Sequence, residues 1–146
     1  MSTRPNEIEA EIAPRLRTAV LRLARRLRQE APEGITQSQL SVMAVLHRDG
    51  PMGIGALAAT ERVKPPTVTR IVDQLETRGL VSRESDPDDG RCVVVRLTAA
   101  GDDLVAGTRR RRDAYLVRRL TELDPADSAR VADAVELLER LFEERR

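Results

Sequence analysis

The segment KPPTVTRIVDQLETRGLVSRESDPDDGRCVVVRLT, residues 64–98, decides the fold of this chain. Its first half carries one apolar stripe at the i, i+3, i+4, i+7 spacing of a helix: Val68, Ile71, Val72 and Leu75. Pro65 and Pro66 suit the first turn, where a proline loses no helical hydrogen bond and its φ is already set. Gly79 can adopt the left-handed conformation that ends a helix. The pattern therefore predicts a helix that ends just before Gly79.

The second half of this segment has the pattern of a β-hairpin. Residues 81–84 and 92–97 are short strand candidates, and residues 85–90 (SDPDDG) have the composition of a turn. Strict alternation would place the second strand's side chains on two faces, with Val93, Val95 and Leu97 on one and Cys92, Val94 and Arg96 on the other. A helix followed by such a hairpin is the outline of a winged helix, with one element for a major groove and one for the backbone or minor groove of DNA.

The side chains outside the apolar stripe suit contacts with nucleic acid. The polar face of the helix includes Lys64, Thr67, Arg70, Asp73 and Gln74. Such groups can hydrogen-bond base edges or phosphates. Arg91 ends the turn, and Asp89 lies two residues earlier, where its carboxylate could orient the guanidinium for a narrow minor groove. The alternatives are a solvated amphipathic helix and a surface hairpin with a weak local ion pair.

Several motifs in this chain resemble those of the MarR family of transcriptional regulators. Residues 67–83 (TVTRIVDQLETRGLVSR) resemble the recognition helix, and Asp89, Arg91, Leu97 and Thr98 match the wing motif D-x-R-x5-L-T. Residues 35–39 (ITQSQ) resemble the start of the family's second helix, and residues 53–60 (GIGALAAT) resemble the first helix of its helix-turn-helix. The resemblance covers nearly the whole chain. It implies one mainly α domain over residues 1–146, with a winged helix-turn-helix at 35–98 and helical dimerisation regions at 1–34 and 99–146.

The resemblance also implies a function and a set of contact residues. The function would be that of a dimeric, sequence-specific repressor that leaves a pseudo-palindromic operator when it binds a small-molecule effector. Its partners would then be double-stranded DNA, a second copy of the chain and the effector. The major-groove contacts would come from Lys64, Pro66, Thr67, Thr69 and Arg70, with Gln74 beside them. Arg91 would reach the minor groove, with Asp89 orienting it.

Helical patterns continue on both sides of the winged helix. The first helix has an apolar seam made of Ile8, Ile12, Leu16, Val20, Leu23 and Leu27. Thr36 and Gln39 form a T-x-x-Q capping box that opens a second helix, and Thr98 is placed to cap a fifth. The last helix carries Val131, Val135, Leu138 and Phe142 on one face. Two terminal helices with apolar seams offer more surface than one small domain can bury, which predicts a dimer.

Composition sets limits on other functions. Aromatic residues are nearly absent, since the chain has one Tyr, one Phe and no Trp, so we expect an aliphatic core. Neither a signal peptide nor an apolar run near 18 residues is present, so we expect a cytoplasmic protein without a membrane partner. His47 and Cys92 are the only residues of their kinds. We therefore expect no zinc site and no cofactor, with His47 at a helix end or in the core.

Two enzyme hypotheses find little support in the pattern. Residues 53–58 match the G-x-G-x-x-A motif of dinucleotide-binding folds, but a turn, rather than a strand, precedes them. A reactive Cys92 beside Arg91 is a second hypothesis, although a passive strand residue explains Cys92 more simply. The chain is therefore expected not to be an enzyme.

The charge pattern leaves one alternative open. Net charge is +1, and residues 61–96 hold seven basic and seven acidic residues. Such a balance favours a helical dimer that acts through protein partners with a degenerate winged helix, unless acids and bases separate in space. The arginine run at residues 109–112 points all around a helix axis. Together with Arg118 and Arg119, it is expected to pair with acids of the last helix or of the partner chain (Glu136, Glu139, Glu143 and Glu144) in preference to phosphate.

Overall fold

The computed structural model describes residues 7–142, which form six helices and one β-hairpin. In chain order the elements are α1 (Glu7–Arg28), α2 (Gln37–Asp49), α3 (Ile54–Glu61), α4 (Pro65–Thr77), β1 (Val81–Ser85), β2 (Val93–Leu97), α5 (Ala99–Leu120) and α6 (Pro125–Phe142). This mainly α architecture with a two-stranded wing confirms the predicted fold class.

The contacts within the chain divide it into two compact units. One unit ends at Arg110 and the other begins at Arg111, so the boundary lies inside α5. The family resemblance implies boundaries after residues 34 and 98 instead, which would separate a DNA-binding region from two dimerisation regions. That functional division stays a prediction.

Helix α2 begins as the capping box predicts. The Gln39 backbone N–H donates to Thr36 Oγ1 at 3.2 Å, and the Thr36 backbone N–H donates to Gln39 Oε1 at 3.0 Å. Both donors would otherwise lack helical partners, so the box fixes where the helix starts. The helix ends at Gly50, whose φ of 82° lies in a region that few other residues adopt.

Helices α3 and α4 form the helix-turn-helix. Arg62 takes a left-handed conformation with φ of 55° and ends α3, and two residues later Lys64 precedes the first turn of α4. Pro65 and Pro66 occupy that first turn. All four residues of the predicted apolar stripe of α4 are buried: Val68, Ile71, Val72 and Leu75. The local pattern therefore fixed both the bounds and the buried face of this helix.

The core of the first unit is aliphatic, as the composition predicts. It joins residues from α2, α3, α4, the hairpin and the first turns of α5: Ile35, Leu40, Val42, Met43, Val45, Leu46, Leu57, Ala58, Val68, Ile71, Val72, Leu75, Leu80, Val81, Val95 and Val105. Because this core reaches both strands and α4, it sets the position of the hairpin against the helix.

The hairpin differs from the predicted one in detail. The strands pair antiparallel from Val81↔Leu97 to Ser85↔Val93, so β1 is one residue longer than predicted and β2 begins one residue later. Met52 adds a bridge on the other side of β2, with both backbone hydrogen bonds to Val95. The regular register keeps the predicted alternation of faces, but burial does not follow the two faces. Val94 and Val95, on opposite faces, are both buried, whereas Val93, beside the turn, is 54% exposed.

The hairpin leads into α5 through a close approach of two backbones. Thr98 Oγ1 accepts from the Gly101 backbone N–H at 3.1 Å and donates to the Gly79 carbonyl at 2.6 Å, which confirms Thr98 as the cap. Gly101 lies against the Leu80 carbonyl, and a Cβ at this position would be 2.0 Å from that oxygen. Only glycine fits this contact without a shift of the backbone.

The two terminal helices expose their apolar seams. No residue of α1 is buried, and the exposed side chains include Ile8, Ile12, Val20, Leu21 and Leu23. In the second unit α6 likewise buries none, with Val131, Val135, Leu137, Leu141 and Phe142 exposed. Within residues 7–142, no helix combines the length and apolar composition that a membrane crossing requires.

Candidate nucleic-acid interface

The N-terminal half of α4 presents an exposed polar surface. Lys64 is the N-cap and is exposed, as are Pro66, Thr69 and Arg70, while Thr67 is half-buried. These five residues are the ones for which the sequence predicts major-groove contacts. They lie at the end of the helix where free backbone N–H groups and the positive end of the helix dipole favour an anion such as phosphate.

Two of the predicted contact residues already have partners within the protein. The Thr69 hydroxyl donates to the Pro65 carbonyl at 3.1 Å, which is a common bond for a threonine inside a helix. Gln74 Oε1 accepts from Gln39 Nε2 at 3.1 Å. Thr69 therefore retains its methyl group and its remaining acceptor capacity for an outside ligand, and Gln74 retains mainly its amide nitrogen.

The turn of the wing corrects one detail of the sequence analysis. Asp89 Oδ1 accepts from the Arg91 backbone N–H at 3.1 Å, and Asp89 Oδ2 lies 3.6 Å from Cys92 Sγ. Among the described residues, no hydrogen bond or ion pair joins the Asp89 carboxylate to the Arg91 guanidinium. The reason is local, since an aspartate side chain readily caps the N–H two residues on. Asp89 shapes the turn, and the Arg91 side chain stays exposed.

Arg83 connects the wing to α4, and the sequence analysis did not predict this role. Its Nη2 donates to Asp73 Oδ1 at 2.5 Å, its Nη1 donates to Glu76 Oε2, and its backbone N–H donates to Glu76 Oε1 at 3.3 Å. The hydrogen bond that Arg83 donates to Asp73 raises the pKa of the Arg83 guanidinium, and Glu76 adds to this effect. The side chain is 28% exposed. Spacings of seven and ten residues across a helix-to-strand junction give no periodic signal in the sequence.

This contact separates the charges that cancel in the sequence. Asp73 and Glu76 pair with Arg83, and Glu84 pairs with Arg96 across the strands. The side chains of Asp86 and Asp89 accept backbone N–H groups in the turn. In contrast, no ion pair within the described chain involves the three exposed cations Lys64, Arg70 and Arg91. Five of the six acids of α4 and the wing thus have internal partners, and within the described chain only the exposed Asp88 carboxylate has none. The positive charge of Lys64, Arg70 and Arg91 remains available.

His47 and Cys92 lie in separate surroundings. His47 Nδ1 is 2.7 Å from Asp102 Oδ1, so the histidine links the last turn of α2 to the first turn of α5. This contact confirms the predicted position at a helix end. Cys92 is exposed in the wing. Across residues 7–142, no cluster of three or more His, Cys, Asp or Glu side chains could hold a metal ion.

Arg119, near the C-terminal end of α5, has a short-range partner. Arg119 Nη1 donates to Glu122 Oε2 at 2.7 Å, three residues along the chain. The predicted pairing of the run at residues 109–112 with Glu136 and Glu139 stays a prediction. Glu143 and Glu144, the other two predicted partners, lie outside the described residues.

Comparison with known proteins places the chain among transcriptional regulators. The model of the MarR family matches residues 35–93. An HTH-type transcriptional regulator of Mycobacterium leprae is 41% identical over 137 residues, covering 93% of this chain and 96% of the relative. The crystal structure of a transcriptional regulator protein from Pseudomonas aeruginosa is 34% identical with a TM-score of 0.84, covering 94% of this chain and 97% of that one.

One more distant structural neighbour has been solved with ligands. MepR from S. aureus, 21% identical, has been solved bound to an oligodeoxyribonucleotide, with a TM-score of 0.71 and coverage of 89% of this chain and 97% of that one. It has also been solved bound to ethidium bromide, with a TM-score of 0.64 and coverage of 88% and 95%. At this identity the likeness concerns the fold alone. The family match, the relative at 41% identity and the winged helix together show that this chain belongs to the MarR family of DNA-binding transcriptional regulators.

Proposed function

We propose that the protein is a homodimeric repressor that binds a pseudo-palindromic operator and is released from it by a small-molecule effector. The observation that best supports the proposed DNA contacts is the charge separation in the first unit. All acids of α4 and the wing except the exposed Asp88 have internal partners, whereas the side chains of Lys64, Arg70 and Arg91 are exposed and form no ion pair among the described residues. Exposed cations on a recognition helix and its wing suit phosphates and base edges.

The roles of the contact residues follow from their positions. Lys64, Pro66, Thr67, Thr69 and Arg70 lie at the N-terminal half of α4, the part of a recognition helix that contacts base edges. Arg91 extends from the wing, where an exposed guanidinium can enter a minor groove. Gln74 lies one turn beyond Arg70 on the same helix. Asp89 contributes through the backbone of the turn, because its carboxylate holds the Arg91 N–H.

The apolar seams of the terminal helices support the dimer. Neither α1 nor α6 has a buried residue in the single chain, and each exposes a row of large apolar side chains. Apolar surface of this extent usually marks an interaction site. A second copy of the chain would cover it symmetrically. The two winged helices of such a dimer would then bind half-sites about 10 base pairs apart.

Release by a small molecule requires two arrangements of the dimer with different affinities for the effector. Ethidium bound to MepR shows that one protein of this fold can hold a planar cation. Repression follows if the occupied operator overlaps a promoter, because the bound dimer then excludes the polymerase.

The direct test is DNA binding by the purified full-length protein to the region upstream of its own gene. We expect binding that survives competitor DNA and weakens with increasing salt. We also expect Arg70→Ala and Arg91→Ala each to weaken it about tenfold or more, since a specific arginine contact contributes roughly 1–3 kcal/mol. Arg48→Ala is the matched control, because Arg48 is exposed but already holds Asp49 through two hydrogen bonds.

Three results would count against the proposal. If neither arginine variant changes affinity, α4 and the wing do not contact DNA and the protein acts through other partners. A molar mass of one chain, measured by light scattering, would contradict the proposed dimer. Lower transcription of the neighbouring gene after deletion of this protein would make it an activator rather than a repressor.

A further inference from the structure

A buried amide on α2 determines how Gln74 is oriented on α4. Gln39 is only 6% exposed, and both ends of its side chain have partners. Its Oε1 accepts from the Thr36 backbone N–H at 3.0 Å, which is one half of the capping box of α2. Its Nε2 must therefore point the other way, and it donates to Gln74 Oε1 at 3.1 Å.

The orientation passes from one amide to the next. A side-chain amide has an acceptor at one end and two donors at the other. Because Gln39 offers Gln74 a donor, Gln74 turns its oxygen toward α2 and its nitrogen away from it. Gln74 is exposed and shares one side of α4 with Thr67 and Arg70, at positions i, i+3 and i+7. The group that Gln74 presents on this side is an N–H₂ donor.

We propose that Gln74 is a specificity-determining residue that donates its amide N–H₂ to an acceptor on the base edge, and that Gln39 is the residue that positions it. This inference rests on the proposed DNA-binding function. The bases that fit are guanine, through O6 or N7, and thymine, through O4. A glutamine with both ends free would pair with adenine instead, accepting from N6 and donating to N7. Adenine is the weaker partner here, because its one major-groove acceptor, N7, lies beside the N6 donor, which would face the Gln74 nitrogen.

The test reverses the polarity of the contact with a substitution that keeps the shape. In Gln39→Glu, either carboxylate oxygen can still accept from Thr36 N–H, and glutamate is a common residue at this position of a capping box. The other oxygen can only accept, so Gln74 must turn its nitrogen toward α2 and its oxygen outward. Selection of binding sites from random double-stranded DNA, with the full-length protein, should then favour cytosine or adenine where the unaltered chain favours guanine or thymine. We expect a change in base preference of about fivefold or more at one position of each half-site.

The matched control is Gln37→Glu, which adds the same charge at the same end of α2. Gln37 is the first residue of the helix and is exposed. General repulsion between the added charge and DNA would affect both variants alike, so only Gln39→Glu should change the preferred base. Gln39→Met, which has a similar shape but no donor or acceptor, frees the Gln74 amide to rotate, and the preference at that position should relax. Gln74→Ala should abolish it and leave the rest of the selected motif intact.

The possible results distinguish the inference from the function beneath it. If the unaltered chain enriches no motif, the proposed DNA-binding function fails. If it enriches a motif that Gln74→Ala leaves unchanged, Gln74 does not contact a base and the inference fails alone. A preference of the unaltered chain for adenine at the Gln74-dependent position would likewise overturn it. So would Gln39→Glu and Gln39→Met variants that keep the base preference of the unaltered chain. Thermal unfolding of each variant shows which of them are folded. If the buried charge of Gln39→Glu prevents folding, the relaxed preference expected for Gln39→Met provides the test.

Discussion

Helices α4 and α1 have similar amphipathic patterns, yet the chain covers only one of them. All four residues of the apolar stripe in α4 are buried against α2, α3 and the wing. The seam of α1 follows an equally regular spacing, but no residue of that helix is buried, and Ile12 is 49% exposed. The pattern of a helix shows which face needs a partner. It does not show whether the partner belongs to the same chain.

Helix α4 differs from α1 in a second way. Its polar face is organised by contacts from other elements, with Gln39 of α2 holding Gln74, and Arg83 of the wing holding Asp73 and Glu76. The ion pairs described for α1 are local, since Glu11 pairs with Arg15 and Arg26 with Glu30, each four residues apart. Tertiary contacts thus prepare one face of α4 for a ligand of defined geometry. The following substitutions test this contrast, from the largest expected effect to the smallest.

Leu75→Ala should have the largest effect. Leu75 has no exposed surface, so the substitution removes buried apolar contacts and leaves a cavity. We expect the free energy of unfolding to fall by about 2–5 kcal/mol, measured by urea denaturation with far-UV circular dichroism. A loss below about 1 kcal/mol would mean that the core around α4 can collapse onto the vacancy, and the contrast with α1 would weaken.

Gly101→Ala tests the close contact between α5 and the hairpin. A Cβ at this position would be 2.0 Å from the Leu80 carbonyl oxygen, so the backbone must shift. We expect a loss of about 1–3 kcal/mol, measured by the same denaturation. Gly55→Ala is the control, since Gly55 lies in α3 with open space around it and should be neutral or slightly stabilising. Equal effects at both glycines would show that helix propensity, rather than the contact, decides the outcome.

Arg83→Ala tests whether the wing and α4 act together. We expect a stability loss of about 1 kcal/mol and a larger effect on DNA affinity, about tenfold, because Asp73 and Glu76 would lose their partner and repel phosphate. Arg96→Ala, which removes the exposed cross-strand pair with Glu84 at 2.9 Å, is the control and should affect affinity less. Binding titrations across salt separate the two variants. The same affinity for both would argue against a role for Arg83 in charge separation.

Leu141→Ala should have the smallest effect in dilute solution. This residue of α6 is 68% exposed, so its loss from a single chain should cost under about 0.5 kcal/mol. If a second chain covers α6, the cost should increase with protein concentration, because the dimer then contributes to stability. Denaturation at several protein concentrations measures this. An effect as large as that of Leu75→Ala at low concentration would show that α6 is buried within its own chain.

Much of the winged helix could be predicted because its signals are local. The apolar stripe and prolines of α4, the capping box at Thr36 and the cap at Thr98 each depend on residues a few positions apart. The details of the hairpin could not be predicted in this way. Val94 and Val95 are both buried, and Met52 pairs with Val95 from another part of the chain. Alternation describes an isolated strand and takes no account of the elements that cover it.

In the candidate site, too, some features follow from the local sequence and others only from the tertiary structure. Its residue types and their order on α4 and the wing are properties of the sequence, and they suffice for the family resemblance that the comparisons confirm. Which of those residues are available to DNA is decided by tertiary contacts. Arg83 neutralises two acids of α4, and Gln39 sets the orientation of Gln74. Hydrogen bonds and ion pairs between residues far apart in the chain form only when folding brings their atoms together, so no local pattern encodes them.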